Sequence, residues 1–122
     1  MDIRITVGAE TLVARLNDSA AARDFATLLP LRLTLSDFHG IEKIADLPSR
    51  LDTSDSPASA AAEAGDIAYY APWGNLAIFI RDFERSPGLV ILGRIREPLN
   101  PLTRTGGNPV ITIEAAEHSS DR

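Results

Sequence analysis

The chain has 122 residues, of which 44% are hydrophobic and 24% charged, and a formal net charge of −5. This length suits one domain with its own core, and the composition excludes a wholly disordered chain. The acidic balance argues against nucleic-acid binding, because phosphate contacts need a basic surface. No apolar run approaches the roughly 18 residues that a membrane span requires.

Cysteine is absent from the sequence, which excludes disulfides, thiol nucleophiles and thiolate metal ligands. The first residues enter a strand pattern directly, so we expect no signal peptide and a cytoplasmic location. His39 and His118 show no zinc-ligand spacing, and we expect neither a metal nor a cofactor.

The N-terminal third predicts a hairpin, a helix and a further strand. Residues 2–7 and 11–17 alternate polar and apolar side chains, which is typical of strands with one buried face, and Gly8 suits the turn between them. Residues 17–30 predict a helix that Pro30 ends. Its candidate N-caps are Asn17, Asp18 and Ser19. Its apolar stripe consists of Ala22, Phe25, Ala26 and Leu29. Residues 31–38 alternate again and predict a strand.

The middle of the chain is less regular. Residues 39–51 predict a loop with a short extended piece. Residues 52–65 are small, polar and Ala-rich, and we expect an exposed, mobile crossing segment. A short helix could begin at Ser56-Pro57 and end at Gly65, because proline is favoured in a first helical turn.

The C-terminal half predicts strands and one helical turn. Residues 66–71 and 75–83 form two strands joined by Pro72-Trp73-Gly74, and 88–95 form a strand covered on both faces. A loop over 97–109 contains a helical turn at 99–103, and a last strand begins at Val110. We expect one domain over residues 1–117 and a frayed tail at 118–122. These elements favour an antiparallel barrel or sandwich with appended helices.

Three stretches carry a resemblance to a known family: "LNDSAAARDFATLLPLRLTLSDFHGIEK", "GDIAYYAPWGNLAIFI" and "LVILGRI". In this order they resemble the bacterial cyclophilin-like fold proteins, small uncharacterised domains related in architecture to cyclophilins. The resemblance implies a mostly β fold, a closed antiparallel eight-stranded β-barrel with one or two flanking helices.

Cyclophilins are peptidyl-prolyl isomerases, and the resemblance carries only part of their site to this sequence. Phe79 matches the phenylalanine at the floor of the proline pocket, and Arg32 lies in roughly the strand that carries the catalytic arginine. Leu89 stands where the pocket histidine would be, and the tryptophan that lines the pocket is missing. Rotation about a proline amide needs an apolar pocket and a donor that favours the twisted amide. We therefore expect no efficient isomerase activity.

The aromatic residues around the Pro72-Trp73-Gly74 turn are the sharpest candidates for a binding site. Trp73 either stacks on a ligand or plugs one end of the barrel, and the plug is the favoured interpretation. Tyr69 and Tyr70 are adjacent in a strand, so one faces the core and the other does not. Phe79 either floors a shallow groove beside Arg32 or Arg94 or packs under a helix, and packing is favoured. The predicted ligand-binding residues are Phe79, Trp73, Arg32 and Tyr70.

Other polar features favour structural interpretations. Glu42 and Lys43 suggest a surface ion pair, and Asp82 and Glu84 a solvated acidic pair. The Gly-rich loop at 103–109 could cradle a phosphate, but a turn into the last strand explains it equally well. No set of residues indicates catalysis.

Three functions remain open. The first is a binding module for a small molecule or a proline-containing, extended peptide. The second is a prolyl isomerase with a rebuilt pocket. The third is an interaction domain that associates with itself through an exposed apolar strand. The sequence implies no particular oligomeric state.

Overall fold

The computed structural model of the protein describes residues 1–104 and 107–116. The predicted tail at 118–122 and two positions of the predicted 103–109 loop lie outside the described residues. Within the described chain the elements are β1 Asp2–Val7, β2 Glu10–Leu16, α1 Ala20–Ala26, β3 Leu31–Thr34, β4 Ser36–Phe38, β5 Glu42–Asp46, β6 Ser59–Ala62, β7 Asp66–Tyr70, β8 Asn75–Phe79, β9 Phe83–Pro87, β10 Leu89–Ile95, α2 Asn100–Thr103 and β11 Val110–Ala115.

One antiparallel sheet of the described chain rolls into a nearly closed barrel. Its nine strands follow the order β3-β11-β1-β2-β10-β7-β8-β5-β4. The two outermost strands, β3 and β4, are consecutive in the chain and separated only by Leu35, so both edges of the sheet belong to one bent stretch. Leu35 is fully buried, and its N–H donates to the carbonyl of Pro109 at 2.8 Å. The mostly β barrel is confirmed, with nine strands instead of eight because the stretch 31–38 is interrupted.

The interior of the barrel is filled by alternate residues of the strands, as the sequence periodicity predicts. In the first hairpin the buried side chains are Ile3, Ile5 and Val7 of β1 and Leu12, Ala14 and Leu16 of β2. The turn between these strands is Gly8-Ala9, and Gly8 has a positive φ of 62°, a conformation that favours glycine. The predicted hairpin is confirmed.

Helix α1 packs against the same core. Ser19 is its N-cap and accepts a hydrogen bond from the N–H of Ala22 at 3.1 Å, and Phe25 is fully buried. The helix ends at Ala26, earlier than Pro30, because the N–H and hydroxyl of Thr27 both donate to the carbonyl of Asp24. That tighter bonding closes the last turn. The predicted turn at 99–103 is present as α2.

The segment at 52–65 corrects the sequence interpretation. The predicted helix from Ser56 is wrong: β6 pairs with β9 as a separate two-stranded sheet. Ala62 of β6 and Phe83 of β9 pack against Ala77 and Phe79 on the outer face of the barrel. Burial of β6 against the barrel wall, whose strands are separated from it in the sequence, overrides the weak local pattern of residues 52–65. The predicted strand over 75–83 is likewise two strands, β8 and β9.

Candidate functional site

A cavity of about 230 Å³ lies on the outer side of the barrel wall, between that wall and β9. Five of its described lining residues are aromatic. They come from four strands and one turn, and they are Phe38, Tyr70, Trp73, Phe79 and Phe83. The volume is below the roughly 300–1,000 Å³ of pockets for drug-sized ligands, so it fits one small molecule or a single head group.

Strand pairing explains why these side chains meet. Glu42 of β5 pairs directly with Phe38 of β4 on one side and with Phe79 of β8 on the other. Directly paired residues of antiparallel strands point to the same face with their Cβ atoms about 4.5–5.5 Å apart. One row of the outer face is therefore a glutamate between two phenylalanines. Tyr70 and Asn75, also paired directly, form a second row.

Edge-to-face ring contacts connect the two rows at the mouth of the cavity. The ring centroid of Trp73 lies 5.8 Å from that of Phe38, with an interplanar angle of 84°, and 5.4 Å from that of Tyr70, at 80°. At the floor, Phe79 stacks on Phe83 with centroids 5.7 Å apart. The ring quadrupoles favour such contacts, which fix the aromatic side chains in the cavity walls and leave the space between the walls open.

Trp73 lies at the tip of the turn between β7 and β8, and 59% of its surface is exposed. The N–H groups of Trp73 and Gly74 both donate to the carbonyl of Tyr70, and Gly74 has a φ of 69° that lets the chain reverse. The favoured plug interpretation is wrong, because an exposed ring at the rim closes nothing inside the barrel.

The two tyrosines face opposite sides of β7, as predicted. Tyr69 is 1% exposed and points into the barrel, where its hydroxyl oxygen accepts a hydrogen bond from the N–H of Leu51 at 3.2 Å. Tyr70 is half-buried and lines the cavity. The structure therefore brings Phe79, Trp73 and Tyr70 together, three of the four predicted ligand-binding residues.

Glu42 also lines the cavity, and the predicted Glu42–Lys43 surface pair is wrong. Adjacent residues of a strand point to opposite faces, and the Nζ of Lys43 lies 3.1 Å from the Oδ1 of Asp37 instead. Burial raises the pKa of the Glu42 carboxyl above its usual value, and the nearby His39 opposes this shift only in part. The Gly40 N–H and Lys43 lower the pKa of Asp37.

Comparison with family models decides the classification. The model of the Cyclophilin-like family matches residues 5–114. The chain belongs to the Cyclophilin-like family. The solution structure of a hypothetical protein from Archaeoglobus fulgidus is similar to this cyclophilin-like domain, with a TM-score of 0.68, 21% sequence identity and 95% of each chain covered. That likeness shows a shared fold. No curated protein matches the chain.

The cyclophilin-like domain does not place Arg32 with the other predicted site residues. Arg32 is exposed on β3, where it pairs with Thr112 of β11. Arg94 is also elsewhere, and its guanidinium donates to Asp66 at 2.8 Å and to Glu63 at 3.2 Å. Within the described chain, no arginine or lysine lines the cavity, whereas Leu89 does.

Sequence reasoning did not identify several lining residues of this cyclophilin-like domain, among them Phe38, Glu42, Asn75 and Phe83. The alternation of side chains along the strand could have identified Phe38. The buried side chains of the preceding stretch are at odd positions, whereas Phe38 is at an even one and therefore faces outward. An aromatic residue on the outer face of a strand is a candidate for recognition. Glu42 and Ile44 likewise share a face.

In residues 1–104 and 107–116, no three His, Asp or Glu side chains cluster in a way that could hold a metal ion. No helix there is long and apolar enough to cross a membrane.

Proposed function

We propose that this cyclophilin-like domain is a binding module that takes a small molecule, or one side chain of an extended peptide, into the aromatic cavity. The observation that carries the proposal is Trp73, a large apolar side chain exposed at the mouth of a cavity whose other walls are also aromatic. Concave, mainly apolar sites with a few polar groups are typical of ligand pockets.

The packing of the domain supports a recognition role for the rim. The barrel interior forms a separate apolar cluster that does not include Trp73, so the ring contributes little to the core. Phe38 and Tyr70 hold it edge-on, which leaves a rigid apolar surface for a partner. Ordering such a ring on binding costs little entropy, since it is already constrained.

Prolyl isomerisation is the second candidate, and Phe79 in the cavity wall favours it. The reaction needs a donor to the proline amide. The side-chain donors among the described cavity residues are the Tyr70 and Ser86 hydroxyls, the Asn75 amide and the Trp73 indole N–H. None carries the charge of an arginine, so we expect binding of proline peptides without efficient catalysis.

The test is an NMR titration of isotope-labelled protein with neutral apolar fragments and X-Pro peptides. Trp73 is the only tryptophan of the chain, so its indole N–H gives one resolved reporter signal at the cavity mouth. We expect shifts of this signal and of Tyr70 and Phe83, and none at Val13, an exposed apolar residue of β2 that does not line the cavity.

Each outcome has a distinct meaning. No shift with any compound would overturn the binding proposal. Faster cis/trans exchange of a peptide at substoichiometric protein would replace it by the isomerase. Shifts that depend on protein concentration alone would favour self-association.

The cytoplasmic location and the bacterial source are also part of the proposal. The absence of cysteine supports the location, and the family resemblance supports the source.

A further inference from the structure

Among the residues that the structure describes, the carboxylate of Glu42 has no hydrogen-bond or ion-pair partner. It lies in a row between Phe38 and Phe79, and no residue in 1–104 or 107–116 gives it a hydrogen bond or an ion pair within 4.0 Å. A charge that is partly removed from water costs free energy unless it is paired. The raised pKa of Glu42 has the same cause.

The described basic side chains around Glu42 do not offset its burial, since the charge of His39 only partly opposes the rise in the pKa of Glu42. Lys43 is held by Asp37, and no other lysine or arginine of the described chain lines the cavity. His39 stacks edge-on against Phe38 with ring centroids 4.2 Å apart, and it does not line the cavity. The carboxylate is therefore a negative charge facing an apolar space.

Asn75 is a second polar group without a full set of partners. It is 3% exposed, and its side-chain Oδ1 is buried without a hydrogen-bond partner among the described residues. Its Nδ2 donates to the carbonyl of Leu76 at 3.2 Å, which fixes the amide orientation, since the flipped amide would face that carbonyl with its oxygen. Asn75 shares its strand face with Phe79, and both line the cavity.

The aromatic walls add a third preference for positive charge. The face of an aromatic ring is the negative end of its quadrupole and attracts cations within about 6 Å. Five rings surround the space that Glu42 and Asn75 border. Two oxygen acceptors within aromatic walls match a ligand that has both positive charge and an N–H donor, in a small apolar envelope.

We propose that the cavity binds a protonated alkylamine, with its alkyl groups against the rings and its N–H directed to the Glu42 carboxylate or the Asn75 Oδ1. The amine is a free metabolite or the side-chain head group of a peptide. This inference rests on the proposed binding function and specifies its ligand class.

The experiment compares two molecules of nearly the same shape. Dimethylethanolamine is a protonated amine at neutral pH, and isoamyl alcohol replaces its N–H⁺ by C–H. Titrations are followed by the Trp73 indole signal. We expect the amine to bind at least about tenfold more tightly, as ring and carboxylate contacts to a desolvated cation imply. Choline has the charge but no N–H, and we expect it to bind more weakly than dimethylethanolamine.

Two matched variants test the role of the charge. Glu42→Gln keeps the shape and removes the charge, and we expect it to abolish the preference for the amine. Glu84→Gln makes the same change in net charge at an exposed residue of β9 that does not line the cavity, and we expect the preference to stay within about twofold of the wild type.

The outcomes separate this inference from the proposed function. Equal binding of the amine and the alcohol would overturn the inference and leave an apolar binding module. A preference that survives Glu42→Gln would also overturn it. Choline binding as tightly as dimethylethanolamine would overturn the hydrogen bond from the ammonium N–H to these two oxygen acceptors. If neither molecule shifts the signal, and apolar fragments and peptides do not either, both proposals fail. A free amine and a peptide source are distinguished by titrating a peptide with one dimethylated lysine.

Discussion

The barrel wall formed by β5, β8 and β7 has an inner and an outer face, and the two differ in how far their polar groups are paired. On the inner face the side chains are apolar apart from Lys43, which is paired with Asp37, and the buried hydroxyl of Tyr69 has its partner in the N–H of Leu51. On the outer face Glu42 has no ion pair and the Asn75 Oδ1 has no hydrogen bond among the described residues. Buried polar groups in proteins are nearly always satisfied, so the unpartnered Asn75 Oδ1 is an exception that favours binding at the outer face.

The same strands supply both faces. Ile78 points inward and Phe79 outward, and the pair Tyr69 and Tyr70 does the same. Stability and recognition can therefore be changed separately by substituting adjacent residues, which makes the difference between the faces directly testable.

The inner face is expected to show the largest effect on stability. Ile78→Ala removes a fully buried side chain from the barrel core and should lower the free energy of unfolding by about 2–5 kcal/mol, measured by urea denaturation. The folded variant should bind cavity ligands as the wild type does. Weakened binding without a loss of stability would contradict the division between the faces.

The two tyrosines give the next largest contrast. Tyr69→Phe leaves the N–H of Leu51 buried without a partner, which should cost about 1–3 kcal/mol. Tyr70→Phe loses a hydroxyl on the cavity side and should change stability by less than about 0.5 kcal/mol. Both are measured by thermal and urea unfolding. Equal costs for the two variants would show that the hydrogen bond of Tyr69 contributes little.

Much of the fold could be predicted from the sequence because its signals are local. The alternation in β1 and β2 and the N-cap at Ser19 need no information about distant residues. The pairing of β6 with β9 does, since residues 59–62 are mostly alanine and show no useful periodicity. Only the outer face of the barrel, which buries Ala62, makes that segment a strand.

The lining residues of the site were predictable where the alternation of side chains along a strand decides which face each residue takes. Aromatic density identified Trp73, Tyr70 and Phe79. Glu42 was misread because a Glu-Lys sequence suggests a surface pair, although strand geometry separates the two side chains. The position of Arg32 relative to the cavity depends on how β3 bends into β4 and closes the barrel, which no local pattern reports.

Trp73→Ala should have a small effect on stability and a clear effect on binding. Truncation of a buried tryptophan to alanine lowers the free energy of unfolding by about 3–5 kcal/mol. Because Trp73 is mostly exposed, we expect its truncation to lower the free energy of unfolding by less than about 1 kcal/mol. Circular dichroism follows the unfolding, since this variant has no tryptophan whose fluorescence could report it. Ligand affinity, measured by the Tyr70 and Phe83 shifts, should fall at least about fivefold. A large loss of stability would return Trp73 to a structural role.

The smallest expected effect on stability is a gain. Burial raises the pKa of Glu42, so its ionisation opposes folding. A group of this kind stabilises the fold fully below its ordinary pKa, and that contribution is lost as the pH rises through the raised value. At neutral pH, Glu42→Gln should therefore stabilise the protein by up to about 0.5 kcal/mol.

The gain from Glu42→Gln should disappear below about pH 4.5, the ordinary carboxyl pKa, because a protonated glutamate resembles glutamine. Asp37 has a lowered pKa and loses its own stabilising contribution in acid, but it does so in both proteins and cancels in their difference. Urea unfolding of the two proteins across this range measures that difference. A variant that is less stable than the wild type at neutral pH would show that Glu42 is paired within the free protein, and the reason to expect a cationic ligand would be removed with it.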